Sequence, residues 1–404
     1  MVKKLYKIFK ILFNSKINFK SPNNDLLIFD GTSLQDLTKH LLKSEKYFVL
    51  ENRYENIKEI YLSPDIIWKF FLNLVKPSKN LLIQDIYLIS VIQAIKPKVV
   101  FTFIDNSLQF SKLSRLNKDK NIKFIALQNG ARLQWEEQFF LYNEKLINKN
   151  LNLDYFIPNF FCFGEHEKDE CEKYKINVGN FKLVGNLRLS NFLKDVKLQK
   201  IQIEKNKYDI CLISDHGAWL NNYEGLEISK ITQAGLGIIK LIKYTIKFSL
   251  VNNLKFVFAF KRKPDKSGYE DEQKWFKENL TNDEYNYILN NTKWHEEYSS
   301  YKNSFESKVV VASMSTLLRE NISCGNKILS CNLTNSIFYD FPIKGLCFIK
   351  NCDFNEFSKR LLKIIQIDKI DYFNEINKNK NYLIHFDDPE KCFQEIKKNI
   401  YKYL

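Results

Sequence analysis

The chain has 404 residues and a mass of 48.1 kDa, and 45% of its residues are hydrophobic. This length and apolar content are enough for two sizeable cores, so we expect two domains. Aromatic residues make up 15%, which excludes a disordered or collagen-like chain. Lysine and arginine outnumber aspartate and glutamate by 62 to 47, and the net charge of +15 favours anionic partners.

Several common classes are disfavoured by missing motifs. Neither a Gly-x-Gly-x-x-Gly turn nor a P-loop occurs, which argues against a dinucleotide oxidoreductase or a P-loop NTPase. The eight cysteines are scattered, so we expect a reduced protein without structural zinc. No Asp-x-Asp follows a predicted strand, so we expect no metal ion and no cofactor. No nucleic-acid-binding motif stands out either.

The first predicted element is a basic amphipathic segment over residues 1–24. Leu5, Ile8, Phe9 and Leu12 recur at helical spacing, with lysines on the other side. Such a segment either lies on an anionic membrane surface or packs on its own domain. No signal-peptide pattern and no apolar run near the ~20 residues that span a bilayer occur. We therefore expect a cytoplasmic protein whose membrane contact, if it has one, is peripheral and at the inner face.

Residues 25–190 alternate short apolar runs with helical patterns. Strands are predicted at 26–29, 47–50, 99–104, 123–128 and 181–184, and helices at 33–43, 64–75, 83–95 and 107–117. This alternation predicts a parallel sheet with helices on both faces, which is a Rossmann-like α/β domain.

A second series of the same kind spans residues 208–385. Strands are predicted at 208–213, 254–260, 308–312, 327–331 and 346–349, with a long helix near 228–251. The polar, lysine-rich stretch 191–207 is expected to be the linker, and residues 386–404 are expected to form a C-terminal helix. Two doubly wound domains leave a cleft between the carboxyl ends of their sheets, where ligands bind.

The strongest local signal is an apolar strand that runs into Ser313, Ser315 and Thr316 at a helix start. Hydroxyls and backbone N–H groups at a helix N-terminus hold phosphate well. Glu320, one turn further on, could accept hydrogen bonds from ribose hydroxyls. The alternative is that Ser315 only caps the helix.

Two further predicted strands end in polar groups at the same sheet edge. Asp105 and Asn106 follow one strand, and Gln128, Asn129, Gly130 and Arg132 follow the next. Carboxylate, amide and guanidinium groups suit a hydroxylated, anionic ligand. The alternatives are that Asp105 caps the next helix and that Asn129-Gly130 is only a turn.

Other strand ends carry candidate acids, bases and cations. Glu165, Asp215 and His216 could accept a proton. Lys261 and Arg262 would attract a phosphate or a sugar carboxylate, although a solvated basic loop explains them nearly as well. Arg188 follows the strand predicted at 181–184.

Five short motifs, taken in their order along the chain, resemble those of bacterial surface-carbohydrate biosynthesis proteins of the GT-B glycosyltransferase type. They lie at residues 104–106, 128–132, 163–165, 184–188 and 313–320. The chain is more distantly similar to Kdo transferases and CDP-glycerol glycerophosphotransferases. The resemblance implies two Rossmann-like domains facing across a cleft, with the C-terminal helix crossing back. It also implies that the C-terminal domain binds the nucleotide-sugar donor and the N-terminal domain the acceptor.

The resemblance also implies roles for the candidate residues. Ser313, Ser315, Thr316 and Glu320 would contact donor phosphate and ribose, and Asp105, Gln128, Asn129 and Arg132 would lie on the acceptor side or at the reaction centre. The run Lys261-Arg262-Lys263 departs from the resemblance, because it is more basic than expected at this strand end. Beyond the resemblance, we expect Lys261 and Arg262 beside the departing nucleotide, and Asp105, before Glu165 or Asp215, as the general base. We also expect acceptor contacts from Asn106, Gly130, Arg188 and His216.

The hypothesis is a metal-independent glycosyltransferase acting on a surface polysaccharide or lipid-linked acceptor. A CMP donor would carry an ulosonic acid. A CDP-polyol phosphotransferase and a non-catalytic protein that binds nucleotide-sugar or polysaccharide remain as alternatives.

Overall fold

The computed structural model describes residues 15–53, 56–75, 81–117, 121–131, 156–173, 176–216, 228–335 and 337–404, with backbone alone at 228–234 and 338. The elements up to residue 197 are β1 (Lys16–Asn18), β2 (Leu26–Phe29), α1 (Leu34–Lys39), β3 (Phe48–Leu50), β4 (Glu59–Tyr61), α2 (Pro64–Val75), α3 (Ile83–Ile95), β5 (Val99–Thr102), α4 (Leu108–Leu116), β6 (Lys123–Leu127), β7 (Phe156–Ile157), β8 (Phe160–Cys162), α5 (Glu165–Lys173), β9 (Asn177–Val178), β10 (Phe181–Leu183) and α6 (Leu187–Lys197).

The first domain is built on a six-stranded parallel sheet in the order β3-β2-β5-β6-β8-β10. Its central strands β2, β5 and β6 are apolar except for Thr102 at the end of β5 and Lys123 at the start of β6. Both β2 and β5 are buried along their whole length, as expected for strands covered on both faces. One face packs against α2, α3 and α4, and the other against α1 and the start of α6. Two small parallel pairs, β1 with β4 and β7 with β9, lie outside the main sheet.

The remaining elements are β11 (Tyr208–Ile213), α7 (Ile228–Val251), β12 (Phe256–Ala259), α8 (Tyr269–Asn279), α9 (Asn282–Asn290), α10 (Ser299–Phe305), β13 (Ser307–Ala312), α11 (Thr316–Ser323), β14 (Lys327–Asn332), β15 (Phe348–Lys350), α12 (Phe354–Gln366), α13 (Lys369–Asn374) and α14 (Pro389–Tyr401). The second sheet is parallel in the order β12-β11-β13-β14-β15. Its apolar core also takes in Phe163, which follows β8, and Leu189 and Phe192 of α6.

The C-terminal helix packs on the first domain, not on the second. Asp388 caps α14 by accepting a hydrogen bond from Glu390 N at 3.1 Å, and Pro389 stands at the first helical position. Its buried side chains Cys392, Phe393, Ile396 and Ile400 join the core of the first sheet. The predicted fold class is therefore confirmed: two doubly wound parallel sheets, with a C-terminal helix that crosses back.

The segment that leads to α14 passes directly over the carboxyl ends of β8 and β10. His385 N donates to Phe163 O at 2.8 Å. A Cβ atom on Gly164 would lie 2.6 Å from the backbone oxygen of Tyr382, so only glycine fits there.

The structure differs from the sequence prediction in its strands and in its linker. The strands β1, β4, β7, β8 and β9 were not predicted. Residues 191–197 of the expected linker belong to α6, where Asn191, Phe192 and Asp195 are buried, so only residues 198–207 form the irregular connection between the domains.

Candidate functional site

A hydrogen bond between the domains joins the carboxyl ends of the two sheets. Ala131 follows β6, and its N–H donates to Thr316 Oγ1 at 2.9 Å. Thr316 is the first residue of α11, directly after β13. The loops that follow β6 and β13 therefore lie against one another.

Each sheet reverses its strand order at one point, between β2 and β5 in the first and between β11 and β13 in the second. Doubly wound sheets bind ligands outside the carboxyl ends of the strands at such points. A buried aspartate stands at each: Asp30 follows β2, and Asp215 follows β11.

Asp215 joins the two strand ends of the second reversal point. Its Oδ2 accepts hydrogen bonds from Ser313 N at 2.6 Å and from Met314 N at 3.2 Å. Burial raises the pKa of Asp215 to about 6, although these N–H groups and the charge of Lys261 oppose the rise. Because both N–H groups are bonded to Asp215, a phosphate here would be held by the serine hydroxyls and the first turn of α11.

Ser315 caps α11. Its Oγ accepts a hydrogen bond from Leu317 N at 3.2 Å, and its backbone is extended. Thr316 Oγ1, which accepts from Ala131, keeps its own hydroxyl proton to donate. Ser315 therefore does cap α11, as the alternative interpretation predicted. The hydroxyl of Thr316 can still donate a hydrogen bond to a ligand.

Glu272 fixes the loop that carries Lys261 and Arg262, and sequence analysis did not single it out. Its buried carboxylate accepts from Lys261 N at 3.0 Å, from Arg262 N at 2.9 Å and from Ser214 Oγ at 2.5 Å. The side chains of Lys261 and Arg262 remain exposed. The signal for Glu272 was a run of acidic residues in the first turn of α8.

His216 is buried next to Asp215, with its ring 5.4 Å from that of Trp275. Burial and the neighbouring charge of Lys261 lower the pKa of His216 to about 4. Its Nε2 meets no hydrogen-bond partner among the described residues. The histidine, predicted as an acceptor contact, is therefore neutral at physiological pH and lies in the second domain, just after β11.

Glu320 is buried between the domains. Its Oε1 accepts from Asn186 Nδ2 at 2.7 Å and from Tyr301 OH at 2.8 Å, and Asn186 caps α6 in the first domain. Burial raises the pKa of Glu320 to about 7, although these donors and Arg188 oppose the rise. This carboxylate links the two domains. Sequence analysis predicted Glu320 as a ribose contact and did not anticipate that link.

The predicted acceptor-side residues form a tight polar layer at the ends of β5, β6 and β8. Asp105 is buried, and its Oδ1 accepts from Asn129 N at 3.1 Å. Gln128, also buried, donates to Gly130 O at 3.0 Å and accepts from Phe163 N at 2.8 Å. The layer positions the loop after β6, while Asn106 beside it is exposed.

Arg188 ties this layer to the loop after β2. Its Nη1 donates to Asn129 O at 3.2 Å, its Nη2 to Ser33 Oγ at 3.2 Å, and its Nε to Asp36 Oδ2 at 2.8 Å. The guanidinium also lies over the ring of Phe103. Arg188 therefore orders this edge of the first sheet. Arg132, also predicted as an acceptor contact, lies outside the described residues.

Glu165 is exposed at the start of α5, and a buried ion pair lies close to it. Arg319 Nη1 of α11 contacts Glu167 Oε1 of α5 at 2.5 Å, with both side chains fully buried. The charge of Arg319 adds to burial in holding the pKa of His166 well below its usual range. The pair joins the two domains beside the candidate site.

Asp30 belongs to a polar cluster that the sequence analysis missed. It adopts the left-handed conformation, with φ 68°, and its Oδ2 accepts from Arg53 Nε at 2.8 Å. Glu51, at the end of β3, accepts from Gly31 N at 3.2 Å, and burial raises the pKa of Glu51. The signal that could have found it is Asp-Gly-Thr directly after a buried strand.

Within the described residues, no group of histidine, cysteine, aspartate and glutamate side chains is arranged to hold a metal ion. None of the described helices is long and apolar enough to cross a membrane.

No family model and no curated protein matches the sequence. Among solved structures, the sucrose-phosphate synthase of Thermosynechococcus elongatus is 12% identical, with a TM-score of 0.48 over 93% of this chain and 98% of that one. The wall teichoic acid polymerase TagF is 10% identical, with a TM-score of 0.48 over 100% of this chain and 98% of that one. The lipopolysaccharide outer core galactosyltransferase WaaB is 11% identical, with a TM-score of 0.43 over 94% of this chain and 99% of that one. A likeness at this level carries no conclusion about substrate or activity.

Proposed function

We propose that the protein is a transferase that moves a sugar from a nucleotide-activated donor to a surface polysaccharide or lipid-linked acceptor. The hydrogen bond from Ala131 N to Thr316 Oγ1 carries this proposal, because it brings the carboxyl ends of β6 and β13 together. A ligand bound at the end of each sheet would therefore meet the other between the domains.

The donor side of the proposal is the second domain. The exposed side chains of Lys261 and Arg262 follow β12, and the N-terminus of α11 lies two strands away. Cations and a helix N-terminus both stabilise the negative charge that develops on a departing nucleotide. In this proposal those groups meet the charge without a metal ion or other cofactor.

The acceptor side is the polar layer of the first domain. Asp105 is the first candidate for the base that takes a proton from an acceptor hydroxyl, and Glu165 and Asp215 are the others. The pKa of about 6 at Asp215 lies near the value that suits general base catalysis at neutral pH. The three carboxylates are distinguished by the variants described in the Discussion.

The place of action that fits this substrate class is the cytoplasmic face of the membrane. A lipid-linked acceptor would be presented at that surface, and the net charge of +15 favours an anionic leaflet over a neutral one.

The test is a thermal-shift screen of the full chain with CMP, CDP, UDP and GDP. Stabilisation by CMP would point to an ulosonic acid donor, and stabilisation by UDP or GDP to a hexose. Mass analysis of the product then separates sugar transfer from transfer of a polyol phosphate, because only the latter adds phosphorus to the acceptor. Binding of a nucleotide-sugar without turnover on any acceptor would favour a non-catalytic binding protein.

A further inference from the structure

The helix α2 exposes apolar side chains along one face. Trp68 is 61% exposed, Phe71 54% and Val75 82%, and these positions follow one another at helical spacing. Further exposed apolar side chains on the same helix are Ile67, Leu72 and Leu74. Isolated exposed apolar residues are ordinary on protein surfaces, but a contiguous face of this kind marks an interaction site.

The inward face of α2 carries a polar contact, whereas several of its apolar side chains face outward. Asn73 is buried, and its Nδ2 donates to Ser90 Oγ at 3.0 Å and to Gln93 Oε1 at 3.2 Å, both on α3. A helix that only packed on its own domain would place its largest apolar residues there instead. The outward aromatic residues are therefore not needed for packing within the first domain.

Basic residues lie on and beside the strand pair that leads into α2. Lys16 and Lys20, on and just after β1, and Lys58, just before β4, are exposed. The strand β1 pairs with β4, the strand that directly precedes α2, and Ser15 Oγ donates to Ile57 O at 3.1 Å. Residues 1–24 contain six lysines and no acidic residue: Lys3, Lys4, Lys7, Lys10, Lys16 and Lys20.

Residues 15–21 are therefore joined to the first domain, and Ser21 Oγ lies 2.6 Å from Ser63 Oγ, directly before α2. Glu59, opposite Lys16 in the register of β1 and β4, and Asp65, in the first turn of α2, offset part of this charge. The six lysines of residues 1–24 and Lys58 outnumber them.

An apolar face with an exposed tryptophan and a positive balance of charge matches the interface of an anionic bilayer. Apolar side chains would enter the headgroup boundary while the lysines remain near the lipid phosphates. A second copy of the chain would bring like charges together at the same place.

We propose that the outward face of α2 is a membrane-docking surface that inserts Trp68, Phe71 and Val75 into the headgroup region of an anionic lipid bilayer. The surface lies on the first domain, so docking would hold that domain against the lipid. The proposal does not depend on nucleotide binding, which is assigned to the second domain.

The experiment is co-sedimentation of the full chain with phosphatidylcholine vesicles that contain or lack phosphatidylglycerol. We expect the wild type to bind the anionic vesicles and Trp68→Glu/Phe71→Glu to bind them at least about tenfold more weakly, because two exposed aromatic side chains would no longer be buried in lipid. The matched control is Ile370→Glu on α13, an exposed apolar residue of the second domain, which should bind like the wild type.

Fluorescence gives a second readout that does not depend on a charged substitution. Brominated lipid should quench the tryptophan emission of the vesicle-bound wild type, and Trp68→Phe should lose most of that quenching while still binding. Equal melting temperatures, and equal nucleotide-induced shifts, would show that the variants are folded and that nucleotide binding is separate.

Three results would overturn the proposal. The first is a wild type with no preference for anionic vesicles. The second is binding of Trp68→Glu/Phe71→Glu as tight as that of the wild type, as expected if residues 1–14 alone made the contact. In the third, sedimentation equilibrium would show a dimer that the same double variant dissociates, which would assign the face to a second copy.

Discussion

Asp105 and Thr316 hold the same short turn from opposite domains. Asp105 Oδ1 accepts a hydrogen bond from Asn129 N at 3.1 Å, and Thr316 Oγ1 accepts one from Ala131 N at 2.9 Å. The loop after β6 is therefore fixed on both sides. The loop of residues 129–131 thus connects the carboxylate of Asp105 in the first domain to the N-terminus of α11, which we assign to the donor.

The role of Asp105 as a base is tested by Asp105→Asn. The asparagine keeps an oxygen that can accept from Asn129 N, but it cannot take a proton, so we expect turnover to fall roughly 100-fold or more. The melting temperature and the nucleotide Kd should stay near those of the wild type. Steady-state kinetics of Glu165→Gln and Asp215→Asn complete the comparison, and wild-type turnover in Asp105→Asn would transfer the role to one of them.

The buried carboxyl of Glu320 should make stability depend on pH. The folded protein holds this proton up to about pH 7, whereas the unfolded chain releases it near 4.5. Unfolding therefore releases a proton in this window, and the free energy of unfolding should decrease as the pH rises through it. Glu320→Gln, which still accepts from Asn186 and Tyr301, should remove up to about 1.4 kcal/mol of that decrease for each pH unit.

Urea denaturation of the wild type and Glu320→Gln across this pH range measures the difference between the two curves. The exposed Glu278→Gln on α8 is the matched control and should run parallel to the wild type. Parallel curves for Glu320→Gln as well would show that Glu320 is ionised throughout the window.

The buried pair Arg319–Glu167 should be costly to break from one side. Arg319→Met leaves the Glu167 carboxylate buried without its cation, and we expect a loss of about 3–5 kcal/mol in the free energy of unfolding. Arg319→Met/Glu167→Met should recover much of it. Lys363→Met, which breaks an exposed pair with Glu375, should cost less than about 1 kcal/mol. Losses that simply add in the double variant would contradict this account.

The cations after β12 should contribute to donor binding. Lys261→Ala/Arg262→Ala removes two charges near the proposed phosphate site, and we expect the nucleotide Kd to rise at least about tenfold and to depend less on salt. Lys266→Ala, in the same loop but paired with Asp265, is the matched control. Calorimetric titration at two salt concentrations measures both effects, and an unchanged Kd would place the nucleotide elsewhere.

The architecture could be predicted because buried parallel strands leave a clear apolar signal. All ten predicted strands are present, within a few residues at their ends. The strand β8 was missed although it is an apolar, buried run of the same length as β3, β10 and β15, which were predicted. The strands β1, β4, β7 and β9 were missed because two or three residues leave no clear period. The linker was predicted to begin at residue 191, within α6, because the lysines of α6 made this stretch look polar although Phe192 is buried.

The candidate site was predictable only in part, for a physical reason. Polar residues at strand ends mark where a site can be, and the residues near 105, 128, 215 and 313 do lie at carboxyl ends of their sheets. The partners of these groups come from distant parts of the chain. The bonds of Glu320 to Asn186 and of Asp215 to Ser313 N depend on how the domains and strands pack, which no local pattern encodes.

Amide hydrogen exchange with and without saturating nucleotide tests the central claim most directly. We expect a bound nucleotide to slow exchange at residues 261–262 and 313–317 of the second domain, and to slow it at residues 129–131 of the first domain through the contact with Thr316. Protection confined to one domain, or at segments away from these strand ends, would contradict a shared site between the two sheets.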